Sequence, residues 1–351
     1  MNVRTTSSVS LSNTTEFQSS SNLFGQATTI IMAGLTPEQL SSFRENGFLL
    51  VPNYFSPDEV SSLLSTTHNL LESFDLSSHP LTRFTTGDSE DTNNAQHVGD
   101  DYFLSSSDKV HFFFEPDAFT TPDPSSNPSA KPTLKRAKAQ SINKIGHALH
   151  ALSPPFSAAT LSARNRAVAR SLGFQDPRVL QSMVICKQPG FGAAVPPHID
   201  SEFLYTDPPS AVGWWFALED AGRENGTLGF WKGSHRTRRV GRRFVRKGDG
   251  KGTEFVEWKG AGLPRGMEGG EKEEVYQPRD EDFELVDVPA GSLVLIHGNV
   301  LHTSERNTGA KSRYAYTFHV IEGGEGWEYD ERNWLQPPKG REFTKLYGDG
   351  A

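Results

Sequence analysis

From Val179 onward the sequence alternates apolar and polar residues in strand-length runs, and this half of the chain most limits the folds open to it. Strands are expected over 179–187, 213–219, 227–231, 284–288, 292–297 and 313–320, separated by turns that carry Gly or Pro. The last of these is the most informative. In Arg313-Tyr314-Ala315-Tyr316-Thr317-Phe318-His319-Val320, alternation puts Tyr314, Tyr316, Phe318 and Val320 on an apolar face suited to packing against helices. Arg313, Ala315, Thr317 and His319 then face a polar interior. An arginine pointing inward needs an anion, because an unpaired buried charge costs several kcal/mol. That anion is either a carboxylate of the chain or one brought by a ligand.

The first half reads as helix. Residues 1–31 are rich in Ser and Thr without periodicity, a disordered leader that lacks the apolar stretch of a secretory signal. Its shortage of acidic residues points weakly to a mitochondrial address, with Arg4 as its only basic residue, so the cytoplasm is the default location. Folded sequence, one domain over 32–351, is expected after Met32. Thr36-Pro37-Glu38-Gln39 is a capping box with Pro at the first helical position, and Gly47 supplies the stop. Phe48 to Val51 follow as a short strand, and Ser56-Pro57-Asp58-Glu59 cap a second helix. Lys109 to Glu115 alternate as a strand, between polar loops over 80–100 and 116–133. Helical spacing returns at Ile142, Ile145, Leu149 and Leu152, and again from Ser157 to Leu172. Helices first and strands after them predict an α+β chain whose strands form a sandwich or barrel.

Composition removes several functions. A formal net charge of −8 argues against general nucleic-acid or membrane-surface binding. No apolar run reaches the ~20 residues that span a bilayer. The lone Cys186 allows no intrachain disulfide and sits in an apolar run, as a structural thiol does. His147 and His150 are spaced as a metal pair on a helix, but no third ligand lies near them in sequence.

The constellation that carries chemistry is Pro197-His198-Ile199-Asp200 with the distant His302. Non-haem iron oxygenases need two neutral imidazoles and one carboxylate on one face of the metal, with the remaining positions open. On an extended segment, His198 and Asp200 point the same way. A His-x-Asp alone is a poor signal in a chain with 11 His and 43 acidic residues. His302 after the strand 292–297, and Arg313 beyond it, strengthen it. The distal carboxylate of 2-oxoglutarate would satisfy that arginine, whose guanidinium fork matches its geometry. The competing reading pairs Arg313 with a protein carboxylate and leaves the histidines structural.

These residues resemble the phytanoyl-CoA dioxygenase family. The similarity runs from about Met32 to Tyr347 and includes Gly47-Phe48-Leu49, Asn225-Gly226, Gly233-Ser234-His235 and Trp334-Leu335-Gln336-Pro337. The resemblance implies a double-stranded β-helix, the jelly-roll or cupin-like core, with flanking helices. It implies iron ligands at His198, Asp200 and His302, and 2-oxoglutarate contacts at Lys109, Met183, Trp215, Ser304 and Arg313. It also implies a dioxygenase that uses Fe(II), 2-oxoglutarate and O2, forming succinate while hydroxylating a C–H bond of a small-molecule substrate. Asp200 argues against a halogenase, which gives up this carboxylate to make room for halide. A reading from another class is a non-catalytic protein that keeps the fold and binds 2-oxoglutarate as a sensor. Three departures stand out. The leader is extra, the segment between His198 and Trp215 is one residue shorter than in a close relative, and Arg236 to Lys251 carries eight Lys or Arg against one Asp. That basic stretch is either a solvated loop or a patch for an anionic substrate such as a coenzyme A thioester.

Overall fold

The computed structural model describes residues 34–84, 100–120, 132–260, 262–264 and 278–348. The expected leader over 1–31, and the parts of the expected loops at 85–99 and 121–131, lie outside the described residues.

Helix α1 (Pro37–Asn46) starts as its sequence requires: Thr36 Oγ1 accepts from the Gln39 N–H, and Gln39 Oε1 accepts from the Thr36 N–H. Gly47, at φ 82°, ends it and turns the chain into β1 (Phe48–Val51). Helix α2 (Pro57–Ser73) repeats the box with Ser56 and Glu59. A single turn, α3 (Asp101–Leu104), precedes β2 (Val110–Phe114). Next come β3 (Ile142–His147) and three helices, α4 (Leu149–Leu152), α5 (Pro154–Thr160) and α6 (Ala163–Leu172).

Two expectations are corrected here. Ile142 to Leu152 is a strand followed by one helical turn, because all six residues of β3 are buried and the strand shows no alternation. The helix expected from Ser157 to Leu172 is broken in two, since Ser162 caps a new start by accepting from the Asn165 N–H.

The strand half follows the expected order with shifted ends: β4 (Pro177–Lys187), β5 (Val195–His198), β6 (Thr206–Asp207), β7 (Val212–Ala217) and β8 (Leu228–Phe230). Within the basic stretch, expected as a loop or a patch, Arg242–Arg246 forms β9, which pairs with β10 (Thr253–Glu257) in a hairpin. The chain continues through β11 (Glu284–Val286), β12 (Leu293–His297), β13 (His302–Ser304), β14 (Arg313–Glu322), β15 (Glu328–Tyr329) and β16 (Thr344–Lys345).

Eight strands form the major sheet in the order β1-β12-β7-β14-β4-β3-β2, with β16 also on β4; the minor sheet runs β11-β8-β13-β5. The strand pairs within both sheets are antiparallel. Two facing antiparallel sheets with helices against the larger one make a jelly roll with flanking helices. Alternation decides both faces of the major sheet. Tyr316, Phe318 and Trp214 join Leu63, Phe156 and Val168 of the helices in one core, as the pattern predicted. On the inner face Trp215, Val294 and Ala315 meet Leu228 and Phe230 of the minor sheet. Phe48 stacks on Phe230 with ring centres 4.1 Å apart, tying β1 into the second layer. Among the described residues, no helix is long and apolar enough to cross a membrane.

Candidate functional site

Sheet register brings His198 and His302 together. They are opposed residues of the antiparallel β5–β13 pair, one ending its strand and the other beginning its own. Ile199 is extended, so Asp200 follows on the same side as His198 at the start of a short turn. One potential ligand atom from each of the three lies within 4.8 Å of the others. His198 Nε2 is 3.6 Å and His302 Nε2 3.8 Å from Asp200 Oδ1.

The backbone fixes how the two imidazoles present themselves. His198 Nδ1 lies 2.9 Å from the Pro196 carbonyl and His302 Nδ1 3.1 Å from the Val300 carbonyl. A carbonyl only accepts, so each Nδ1 carries a proton and each Nε2 is left to face the shared space. Against burial, Asp200 raises the His198 pKa above its ordinary value, so a bound cation would take the place of a proton on its Nε2. Burial, reinforced by His198, pushes the His302 pKa down to about 4, which keeps this ring neutral. Burial works against the charge of Asp200, but His319 and His302 beside it hold its carboxyl well below the ordinary range. His319 Nε2 donates to the second oxygen, Asp200 Oδ2, at 3.3 Å, and Gln181 Nε2 donates to His319 Nδ1 at 3.2 Å. One carboxylate oxygen is thus oriented by the chain while the other faces the imidazoles.

Further along the same cavity, of about 180 Å³, Arg313 is 1% exposed. Its Nη2 donates to the Gly226 carbonyl at 2.9 Å and to Ser304 Oγ at 3.1 Å. Its Nε and Nη1 have no partner among the described residues. Burial lowers its pKa to about 10, still charged at neutral pH. The Trp215 ring, 5.4 Å from the guanidinium carbon, flanks it. Met183 lines the cavity from β4. Seven of the eight residues singled out from the sequence therefore line one cavity.

Lys109 does not. Its ammonium is exposed and donates to the Ser105 carbonyl and to Asp108, both at 2.8 Å. The cavity has a cation that sequence reasoning missed, Lys144 of β3, which is 8% exposed. Its Nζ lies 3.2 Å from the centre of the Phe84 ring, and no carboxylate pairs with it among the described residues. Burial pushes its pKa down to about 7, and a bound carboxylate would restore its charge. The helical spacing of Ile142 and Ile145 hid this residue; Gly146 and two β-branched residues in one turn were the available signal for a strand. A second buried lysine, Lys187, is already engaged by the carbonyls of Ala193, Ser304 and Glu305.

Other residues that drew notice form no second metal centre among the described residues, although His147 also lines the cavity. His147 Nδ1 bonds Ser106 Oγ and His150 Nδ1 bonds Ser182 Oγ, each at 2.7 Å, and the two serve no common centre. Cys186 is buried, and burial pushes its thiol pKa well up. In the basic stretch Arg242 pairs with Glu202 at 3.0 Å, and Arg243 pairs with Asp330. Arg246 donates to the carbonyls of Trp334 and Leu104.

The profile of the family described as Phytanoyl-CoA dioxygenase (PhyH) matches residues 43–315. A bovine (Bos taurus) protein, phytanoyl-CoA dioxygenase domain-containing protein 1, is 44% identical over 320 residues, covering 90% of this chain and all of that protein. An Arabidopsis thaliana phytanoyl-CoA dioxygenase is 38% identical over 309 residues, 88% of this chain and 96% of its own. Among solved structures, the epimerase SnoN in complex with Fe3+, alpha ketoglutarate and nogalamycin RO superposes with a TM-score of 0.53 at 16% identity, over 89% of this chain and 95% of that one. EctD from S. alaskensis in its apoform gives 0.52 at 18%, over 90% and 87%. At these identities the two structures show a shared fold.

Proposed function

The chain belongs to the phytanoyl-CoA dioxygenase family, and on that premise we propose that it is an iron(II)- and 2-oxoglutarate-dependent dioxygenase that hydroxylates a small-molecule substrate. His198, Asp200 and His302 would hold the metal. Two imidazole nitrogens and one carboxylate oxygen on one side of a shared space suit a divalent iron with open positions. The observation that carries the reading is Arg313, a buried guanidinium with two nitrogens, Nε and Nη1, left without a partner among the described residues inside a cavity that also holds that triad. A pair of histidines with a carboxylate would accept zinc as well, but zinc gives Arg313 nothing to bind.

The chain's own residues bind and orient. Arg313 and Ser304 would grip the far carboxylate of 2-oxoglutarate, the charge-assisted bonds replacing the missing partners of Nε and Nη1. Trp215 would keep the guanidinium plane in place. Lys144, inside the same cavity, is the second cation available to a dicarboxylate. His319 and Gln181 hold Asp200 by its outer oxygen, which fixes the direction of the inner one. When bound, iron with 2-oxoglutarate and O2 supplies the oxidising chemistry, in which 2-oxoglutarate is converted to succinate and carbon dioxide and a substrate C–H bond gains oxygen.

Titration of 2-oxoglutarate into the Fe(II)-loaded protein under nitrogen tests this assignment. Arg313→Met should weaken binding about 100-fold, the loss of two charge-assisted hydrogen bonds. Lys144→Met should weaken it about 10-fold, and Lys109→Met should leave it unchanged. Equal binding by wild type and Arg313→Met would remove the arginine from the site.

A further inference from the structure

The cavity has two unlike ends, and β14 runs between them. From Arg313, the inner positions pass Ala315 and Thr317 to His319, which touches Asp200. Beyond that, Ile321 packs in one cluster with Phe103, Phe244 and Trp334. The triad therefore lies between a cationic end and an aromatic end.

The aromatic end is built from separate stretches of chain that converge. Phe103 of α3 stacks on Trp334 with ring centres 4.3 Å apart at 18°. Phe203 packs 5.4 Å from Phe244 of the hairpin. It also stands edge-on to His198, 6.0 Å between ring centres at 85°, so the aromatic wall begins at a triad residue. A group lying between these rings would be presented directly to the metal side of the cavity.

The charges point the same way. Of the cavity's three Lys and Arg side chains, Lys187 is saturated by backbone carbonyls. Arg313 and Lys144 remain, and on the oxygenase reading both are available to a dicarboxylate cosubstrate, although the Phe84 ring beside Lys144 packs against the aromatic cluster. Among the described residues, the cavity then has no further Lys or Arg for a second anion. Three arginines of the hairpin are committed as well: Arg242 to Glu202, Arg243 to Asp330, and Arg246 to two main-chain carbonyls. A phosphorylated carrier could draw on these three arginines only by breaking their pairings.

We propose that the aromatic end is the primary-substrate subsite, and that it takes a compact, uncharged apolar group, a ring or branched hydrocarbon, between Phe103/Trp334 and Phe203/Phe244. This rests on the oxygenase reading above and adds the class of substrate to it. A compact apolar ring gains both burial and ring contacts there. The hairpin serves as its wall rather than as an anion patch.

The test uses Fe(II)-loaded protein under nitrogen, after 2-oxoglutarate binding has been measured. Indole, cyclohexanol and hexanoyl-CoA are then titrated into the 2-oxoglutarate complex by calorimetry, with melting temperature as a second readout. At least one of the uncharged probes should bind and raise the melting temperature, and hexanoyl-CoA should bind no more tightly. Phe203→Ala should weaken the uncharged probe about 10-fold without weakening 2-oxoglutarate, and Lys247→Ala, at the hairpin turn, should leave the probe unaffected. Phe203→Leu keeps apolar volume and serves if the alanine variant does not fold; it too should weaken indole. Tighter binding of hexanoyl-CoA, binding by neither uncharged probe, or indifference to Phe203 would overturn the proposal. If 2-oxoglutarate itself failed to bind, the oxygenase reading would fall instead.

Discussion

Glu115, just past the end of β2, shows how burial alone sets chemistry at a single residue. Its Oε2 accepts from Asn143 Nδ2 at 2.9 Å and from the Ala193 N–H at 3.2 Å, while Oε1 has no partner among the described residues. Burial pushes its pKa up to about 7 from 4.5, against those hydrogen bonds. Between the two values the native protein keeps a proton that the unfolded chain has released. Stability therefore falls as pH rises through that window, by about 3 kcal/mol at most. Glu115→Gln removes the titration. The melting temperature of wild type relative to this variant should drop by about 5 °C between about pH 5 and about pH 8. A difference independent of pH would show that the carboxylate is ionised throughout. Lys144 obeys the same rule with the opposite charge, its pKa pushed down to about 7 by burial.

At the scale of elements, Gly47 joins helix to sheet. Its N–H caps α1 on the Phe43 carbonyl, and its own carbonyl accepts from the His297 N–H of β12, both at 2.8 Å. Its φ is 82°, and a Cβ there would come within 2.5 Å of His235 Nδ1 and 2.8 Å of Val300 Cγ2. Gly47→Ala should cost about 1–3 kcal/mol and lower the melting temperature by several degrees in a thermal scan. An unchanged midpoint would mean that the junction is looser than described. This junction was legible in the sequence because caps are local: Thr36, Gln39 and Gly47 act on their own neighbours. β14 was legible because one face meets helices and the other a polar cavity, so its alternation survives. β3 was not, since burial on both faces erased the pattern and left the spacing of Ile142 and Ile145 to imitate a helix. With β3 went Lys144. The pairing of Arg242 with Glu202 and of Arg243 with Asp330 was equally out of reach, because each joins segments far apart in sequence.

Across the whole molecule, the jelly roll converts a poor sequence signal into a site. His198 and Asp200 are neighbours in sequence, but His302 meets them through the β5–β13 pairing, and Arg313 enters the same cavity because β14 lies at the centre of the major sheet. Helices cover the outer face, leaving the inner face to the cavity. Triad, cation and aromatic wall are thus arranged along one strand, with the proposed cosubstrate end and substrate end on opposite sides of the triad. The most direct test of this account is succinate formed from 2-oxoglutarate by the purified Fe(II)-loaded protein, with indole or cyclohexanol present, in air and under nitrogen. Succinate is expected in air only, and is expected to be lost in Asp200→Ala. Succinate that persists under nitrogen or in that variant would contradict it, and tight 2-oxoglutarate binding with no succinate would make the protein a sensor of the same fold.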